Sequence, residues 1–137
     1  MSAEHPMRPV RILLVDDSPI FLRTLTCLLQ EHHQSEVVVV GTAGGGKEAL
    51  AKVQDLRPEV ILLDLAMSDL SGLEMIPRLR RILPEVRIIA LTLLDANDYR
   101  DAALAAGANG FVSKATLHTD LLPAIRSVMQ PSRQPCE

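Results

Sequence analysis

This sequence is poor in aromatic side chains, lysine and cysteine, and each shortage removes a class of function. It has no tryptophan, and Phe21, Tyr99 and Phe111 are its only aromatics. Platforms that stack single-stranded nucleic acid or sugars need more rings than that. Lys47, Lys52 and Lys114 are the only lysines, and arginine supplies the other eleven of the fourteen basic residues. These form no basic block and the net charge is −3. Direct nucleic-acid binding through phosphates is therefore not expected of this domain. Cys27 and Cys136, the two cysteines, support neither a disulfide framework nor a four-ligand zinc site. They read as free thiols in a reducing, cytoplasmic setting. The apolar runs are too short for a membrane span, and the start, MSAEHPMRPVR, lacks the basic-then-apolar layout of a signal peptide.

What is present suffices for one domain. The chain has 137 residues, 47% of them hydrophobic and 23% charged, within the range of a single globular unit with a buried core. Residues 1–9 are expected to form a flexible arm, 10–130 the domain, and 131–137 a flexible tail or the start of a linker. Strand-like runs fall at 10–15, 37–40, 60–63, 86–91 and 108–113. The first four are nearly continuous in Val, Ile and Leu, as in strands covered on both faces of a parallel sheet. Helical stretches fill 19–32, 47–56, 72–83, 96–106 and 117–129. Ser18, Ser71, Asp95 and Thr116 are the expected N-caps and Gly107 a stop, while Pro77 and Pro123 lie inside helices. Five βα units predict an α/β fold, an open doubly wound sheet.

Ligands of such sheets bind beyond the carboxyl ends of the strands. Those ends carry Asp16 and Asp17, then Gly41 and Thr42, then Asp64, Thr92 and Lys114. Three carboxylates, a hydroxyl and an ammonium suit a hard cation and a phosphoryl group. Asp after a strand is common as a helix cap, but here other residues take the caps. Lys114 precedes a helix N-terminus, where positive charge is unfavourable, so it needs an anionic partner. Magnesium is usually held by one or two carboxylates plus water and phosphate oxygens. A carboxylate can also act as nucleophile and form an aspartyl-phosphate.

Four segments resemble the receiver domain of two-component response regulators: VDDSP at 15–19, ILLDLAMSDLSGLE at 61–74, IIALT at 88–92 and AAGANGFVSK at 105–114. The resemblance covers about 10–129. It implies a flavodoxin-like, five-stranded parallel sheet of order 2-1-3-4-5 with helices on both faces. It implies Asp64 as phosphoacceptor, and Asp16, Asp17, Asp64 and the Ala66 carbonyl as magnesium ligands. Thr92 would be the switch hydroxyl, Lys114 the phosphate-contacting lysine and Phe111 the switch aromatic. A sensor histidine kinase or phosphotransfer protein would be the donor, and a homodimer is compatible with the family. The stretches DDSPIFLRTL and GFVSKATLHTDLLPAIRSV look most like receivers that precede a helix-turn-helix DNA-binding domain; no such domain lies within these residues.

The chain departs from the family pattern at Ser68, usually proline, at Ala115, often proline with a cis peptide, and at Leu93, usually small. Leu93 is expected to hinder access to Asp64. Apolar Ala66 and Leu94 give an attacking water no orienting side chain, which predicts slow self-dephosphorylation. A receiver-like module that binds partners without phosphorylation is the alternative reading. Two others are weaker. The GTAGGGK run at 41–47 fits G-x-x-x-x-G-K, but Glu48 stands where a P-loop needs Ser or Thr, so the run reads as a flexible loop. An aspartate-based phosphohydrolase needs a second Asp two residues after its nucleophile to protonate the leaving group, and that position is Ala66. His5, His32, His33 and His118 show no metal spacing.

Overall fold

A computed structural model describes residues 8–93 and 97–130. Five parallel strands alternate with helices: β1 (Val10–Val15), α1 (Pro19–His32), β2 (Val37–Ala43), α2 (Gly46–Leu56), β3 (Val60–Asp64), α3 (Gly72–Ile82), β4 (Arg87–Thr92), α4 (Asn97–Ala106), β5 (Gly110–Ser113) and α5 (Leu117–Met129). A 3-10 turn, Lys114–Thr116, leads into α5. The sheet order is β2-β1-β3-β4-β5, as expected. Residues 1–7 of the arm, the tail, Asp95, Leu94, His5 and Cys136 lie outside the described residues.

The apolar strands are continuous because both faces of the sheet are covered, and the period-2 alternation splits them cleanly. Leu13, Val15, Ile61, Leu63, Ile88 and Ala90 pack against α2, α3 and α4 through Ala49, Val53, Met75, Ile76, Leu79 and Ala103. Ile12, Leu14, Val60, Leu62, Ile89 and Leu91 pack against α1 and α5 through Leu25, Leu29, Leu117, Leu121 and Ile125. Order reverses between β1 and β3, which pair directly. The crevice at their carboxyl ends is thus a ready place for a ligand.

Several element ends shift by one or two residues, and three local features differ from expectation for a tertiary reason. β2 continues through Gly41-Thr42-Ala43, which pair with Leu13, Leu14 and Val15 after a register shift. Gly41 is a packing residue there, since a Cβ would lie 2.7 Å from the Leu56 Cδ1. Thr116 does not cap α5 with its side chain. Its hydroxyl donates to Asp120 Oδ2 at 2.7 Å, and Ser113 caps the 3-10 turn by accepting from the Ala115 N–H. The Gly-rich loop is pinned rather than loose. Asp69 accepts from the Gly46 and Lys47 N–H groups at 3.0 and 3.1 Å, and Glu48 accepts from Gly44. Those N–H donations hold the Asp69 carboxyl below its ordinary range. The α2 N-terminus that a P-loop would offer to phosphate is therefore filled by the protein's own carboxylate. Ser18 and Ser71 cap α1 and α3 as expected, accepting from Phe21 and Glu74 N–H groups at 3.2 Å.

Arg80 ties α3 to two connecting segments, 83–86 and 107–109. Its guanidinium donates to the Gly107 carbonyl at 2.6 Å, to Asn109 Oδ1 at 2.7 Å, to Pro84 O at 3.3 Å and to the Val86 carbonyl. Asn109 Oδ1 also accepts from the Ile88 N–H. Charge-assisted bonds are the strong ones, and their removal strands carbonyls. Arg80→Met, which keeps the apolar stem, is expected to cost about 2 kcal/mol. The reading is a lower urea midpoint with an unchanged m-value, and an unmoved midpoint would show the cluster to be ornamental.

Candidate functional site

Among the described residues, the only buried polar or charged side chains are Asp16, Asp64 and Thr92, at 2%, 4% and 1% exposure. All three stand at the carboxyl edge of the sheet. Asp16 follows β1, Asp64 ends β3 and Thr92 ends β4, where it pairs in register with Ser113. Buried polar groups are costly without partners, so their concentration at one edge marks that edge as the site.

Asp16, Asp17 and Asp64 each offer an oxygen within 4.8 Å of the others. Asp16 Oδ1 accepts from the Ser18 N–H at 2.8 Å, and Asp17, exposed, accepts from the Ser68 N–H at 2.9 Å. The latter bond gives Ser68 a role, since proline at that position has no N–H to donate. Asp64 Oδ1 accepts from the Ala66 N–H at 3.2 Å. The Lys114 ammonium lies 2.6 Å from Asp16 Oδ2 and 3.3 Å from Asp64 Oδ1. Lys114 thus has the anionic partners its position demanded, 98 residues away in sequence for the tighter one.

Burial holds the Asp64 carboxyl above its ordinary value of 3.8, helped by the Asp16 carboxylate; Lys114 and the Ala66 N–H pull only partly the other way. One ammonium against two buried carboxylates leaves the cluster electron-rich. An all-oxygen donor set with excess negative charge and one exposed member fits a hard divalent cation that keeps some of its water.

Leu93, beside Thr92, is 72% exposed. Phe111, on β5, is partly buried and packs against the core on the α2–α4 side. Ala115 follows Lys114 through a trans bond, for no described peptide is cis. Cys27 is an exposed free thiol, and no described helix is long and apolar enough to cross a membrane. One participant escaped the sequence reading. The Phe21 ring centroid lies 4.2 Å from the Lys114 ammonium, a contact that no local pattern announces.

Comparison with known proteins agrees with this geometry. Residues 12–126 match the response regulator receiver domain family. The response regulator protein VraR of Staphylococcus aureus is 35% identical over 119 residues, covering 85% of this chain and 55% of VraR. The chain therefore spans about half the length of the curated relatives it matches. A LuxR-family two-component response regulator from Aurantimonas sp. SI85-9A1 superposes with a TM-score of 0.81 at 28% identity, over 88% of this chain and 84% of that one. The response regulator domain of Thermotoga maritima CheB gives 0.81 at 28% identity, over 92% and 100%. The REC domain of Salmonella enterica RcsB, with phosphomimetic BeF3-, gives 0.80 at 26%, over 92% of each chain. On sequence, fold and the acidic edge together, the chain belongs to the response regulator receiver domain family and is a signalling domain of two-component systems.

Proposed function

We propose that Asp64 accepts a phosphoryl group from a sensor histidine kinase or phosphotransfer protein, and that residues 10–130 are the unit that does so. The carrying observation is the Lys114 ammonium set between Asp16 and Asp64 in a buried acidic cluster. The Lys114 and Ala66 contacts with Asp64 both fall on Oδ1, so Oδ2 is the attacking oxygen. It forms the new P–O bond as the phosphorus–nitrogen bond of the phosphohistidine breaks, and the imidazole keeps the electron pair. Lys114 neutralises a phosphoryl oxygen, and the Thr92 hydroxyl donates to another. Asp16, Asp17, Asp64 and the Ala66 carbonyl would hold magnesium. When bound, the ion offsets the charge on the transferring phosphoryl oxygens.

The response is a population shift. A phosphoryl group draws Thr92 toward it, Phe111 fills the vacated space, and the face of α4, β5 and α5 changes. The shift extends only as far as the differential affinity for the two packings. Transcriptional output is compatible with the likeness to the LuxR-family response regulator, and a homodimer would form through α1 and α5 or through the α4 face.

The test is incubation of the full chain with acetyl phosphate and magnesium, followed by intact mass. Expected is one phosphoryl adduct that decays slowly, because Ala66 and Leu94 leave an attacking water unoriented. Rapid decay would remove the lifetime claim. No adduct, with a partner bound equally well without it, would favour the phosphorylation-independent module.

A further inference from the structure

We propose that Phe21 is a positioning residue for Lys114, holding its ammonium over the phosphorylation site through the face of its ring. The inference rests on the reading of Lys114 as the phosphoryl-contacting group. Lysine carries its charge on a flexible four-carbon stem, and confining it costs rotamer entropy. Something must hold the ammonium where the phosphoryl group arrives. Asp16 is its tightest partner at 2.6 Å, but Asp16 also belongs to the three-carboxylate cluster. Its share in Lys114 falls once that cluster engages a cation. Asp64 is itself the group being modified. Phe21 is the partner that neither event removes.

The ring lies 4.2 Å from Nζ, within the range of a cation–π contact. Phe21 is partly buried and packs against the α1–α5 side of the core. Its place is fixed by the turn that leads into α1. The Ser18 N–H donates to Asp16 Oδ1 at 2.8 Å, and Ser18 Oγ accepts from the Phe21 N–H at 3.2 Å. Asp16 then closes the ring of contacts by taking Lys114 on Oδ2. The same short segment, 16–21, therefore sets both the carboxylate and the aromatic face that meet the lysine.

An aromatic ring also suits the task better than a further carboxylate. A bound phosphoryl group carries about −1.5 to −2 of charge in place of the single charge of the Asp64 carboxylate. A carboxylate on that side would repel it and share the ammonium. A ring face attracts the ammonium while leaving its full charge for the phosphoryl oxygen.

The scarcity of lysine makes the test direct. With only Lys47, Lys52 and Lys114 in the chain, lysine-selective 13C labelling gives three ε-methylene signals. In the unphosphorylated full chain, the Lys114 ε-methylene protons are expected to be shifted upfield by the ring. Phe21→Leu should abolish that shift and Phe21→Tyr should keep it. With acetyl phosphate and magnesium, Phe21→Leu should slow adduct formation between about twofold and thirtyfold, with Phe21→Tyr restoring the rate. An unshifted Lys114 signal in the wild-type chain overturns the proposal without any variant. So does a Phe21→Leu protein that loses the shift yet reacts at the wild-type rate. If the wild-type chain shows the shift but takes no phosphoryl group, the reading of Lys114 as a phosphoryl contact fails, and positioning for that chemistry fails with it.

Discussion

Asp64→Asn is expected to end phosphoryl acceptance and, at neutral pH, to make the fold more stable. The first result follows from chemistry: an amide is not a nucleophile toward phosphorus. The second follows from electrostatics. Asp64 is 4% exposed, and burial, together with Asp16, favours its protonated form in the folded state. A carboxyl held above its ordinary value binds a proton more readily folded than unfolded. Its charged form therefore costs stability, and the cost grows as pH rises through the folded value. Below the ordinary value of 3.8 both proteins carry a neutral group at 64 and should be equally stable. At pH 7 the variant should lead by about 1 kcal/mol, the usual scale for relieving a functional site. Lys114 keeps its tighter partner, Asp16 at 2.6 Å, so the substitution does not strand the ammonium. Urea midpoints measured from pH 3 to pH 8 check this. A variant less stable than wild type at pH 7 would mean that the Lys114 contact outweighs burial and repulsion. Magnesium should stabilise the wild-type chain more than the variant and so narrow the gap.

The same residues show how far a sequence can be read. Strands β1, β3 and β4 were legible because two covered faces demand unbroken Val, Ile and Leu, and that composition is local. The acidic edge was legible because Asp16, Asp17 and Asp64 follow strands and are not used as caps. What stayed hidden depends on neighbours distant in sequence. Gly41 reads as a turn residue until Leu56 of α2 is found 2.7 Å from where its Cβ would be. Asp69 reads as loop polarity until its oxygens meet the Gly46 and Lys47 N–H groups, 23 and 22 residues away. Phe21 reads as one more apolar residue of α1 until Lys114 lies over its ring. In each case the residue type was visible, and the partner that gives it meaning was supplied by the crossing of βα units.

Gly72→Ala is expected to destabilise the fold, although it replaces glycine with the best helix former. In an exposed helix the same change is usually worth up to about 1 kcal/mol of stabilisation, since glycine loses the most backbone entropy on folding. Gly72 opens α3, and its N–H donates to the Leu65 carbonyl at 3.0 Å. An added Cβ would stand 2.6 Å from the Asp64 carbonyl oxygen and 2.6 Å from Leu65 Cα. Both are backbone atoms, so no flexible side chain can swing aside. The end of β3 cannot yield easily either. It lies between β1 and β4 in the sheet, with Asp64 opposite Leu91 and the Leu65 N–H donating to the Leu91 carbonyl at 3.0 Å. The helix must move instead, and it carries Met75, Ile76 and Leu79, each wholly buried in the core beneath it. Overpacking of this kind costs about 1–3 kcal/mol, which reverses the sign expected from helix propensity. Any residual shift falls on the peptide that carries Asp64, so the rate of adduct formation from acetyl phosphate should fall even where the variant is folded. Gly44→Ala is the matched control: its Cβ would meet only Glu48 Oε1, the end of a flexible side chain, at 3.4 Å. It should stay within about 0.5 kcal/mol of wild type. Equal urea midpoints for the two variants would mean that α3 accommodates the methyl freely, and that the close approach of helix to strand does not fix the position of Asp64.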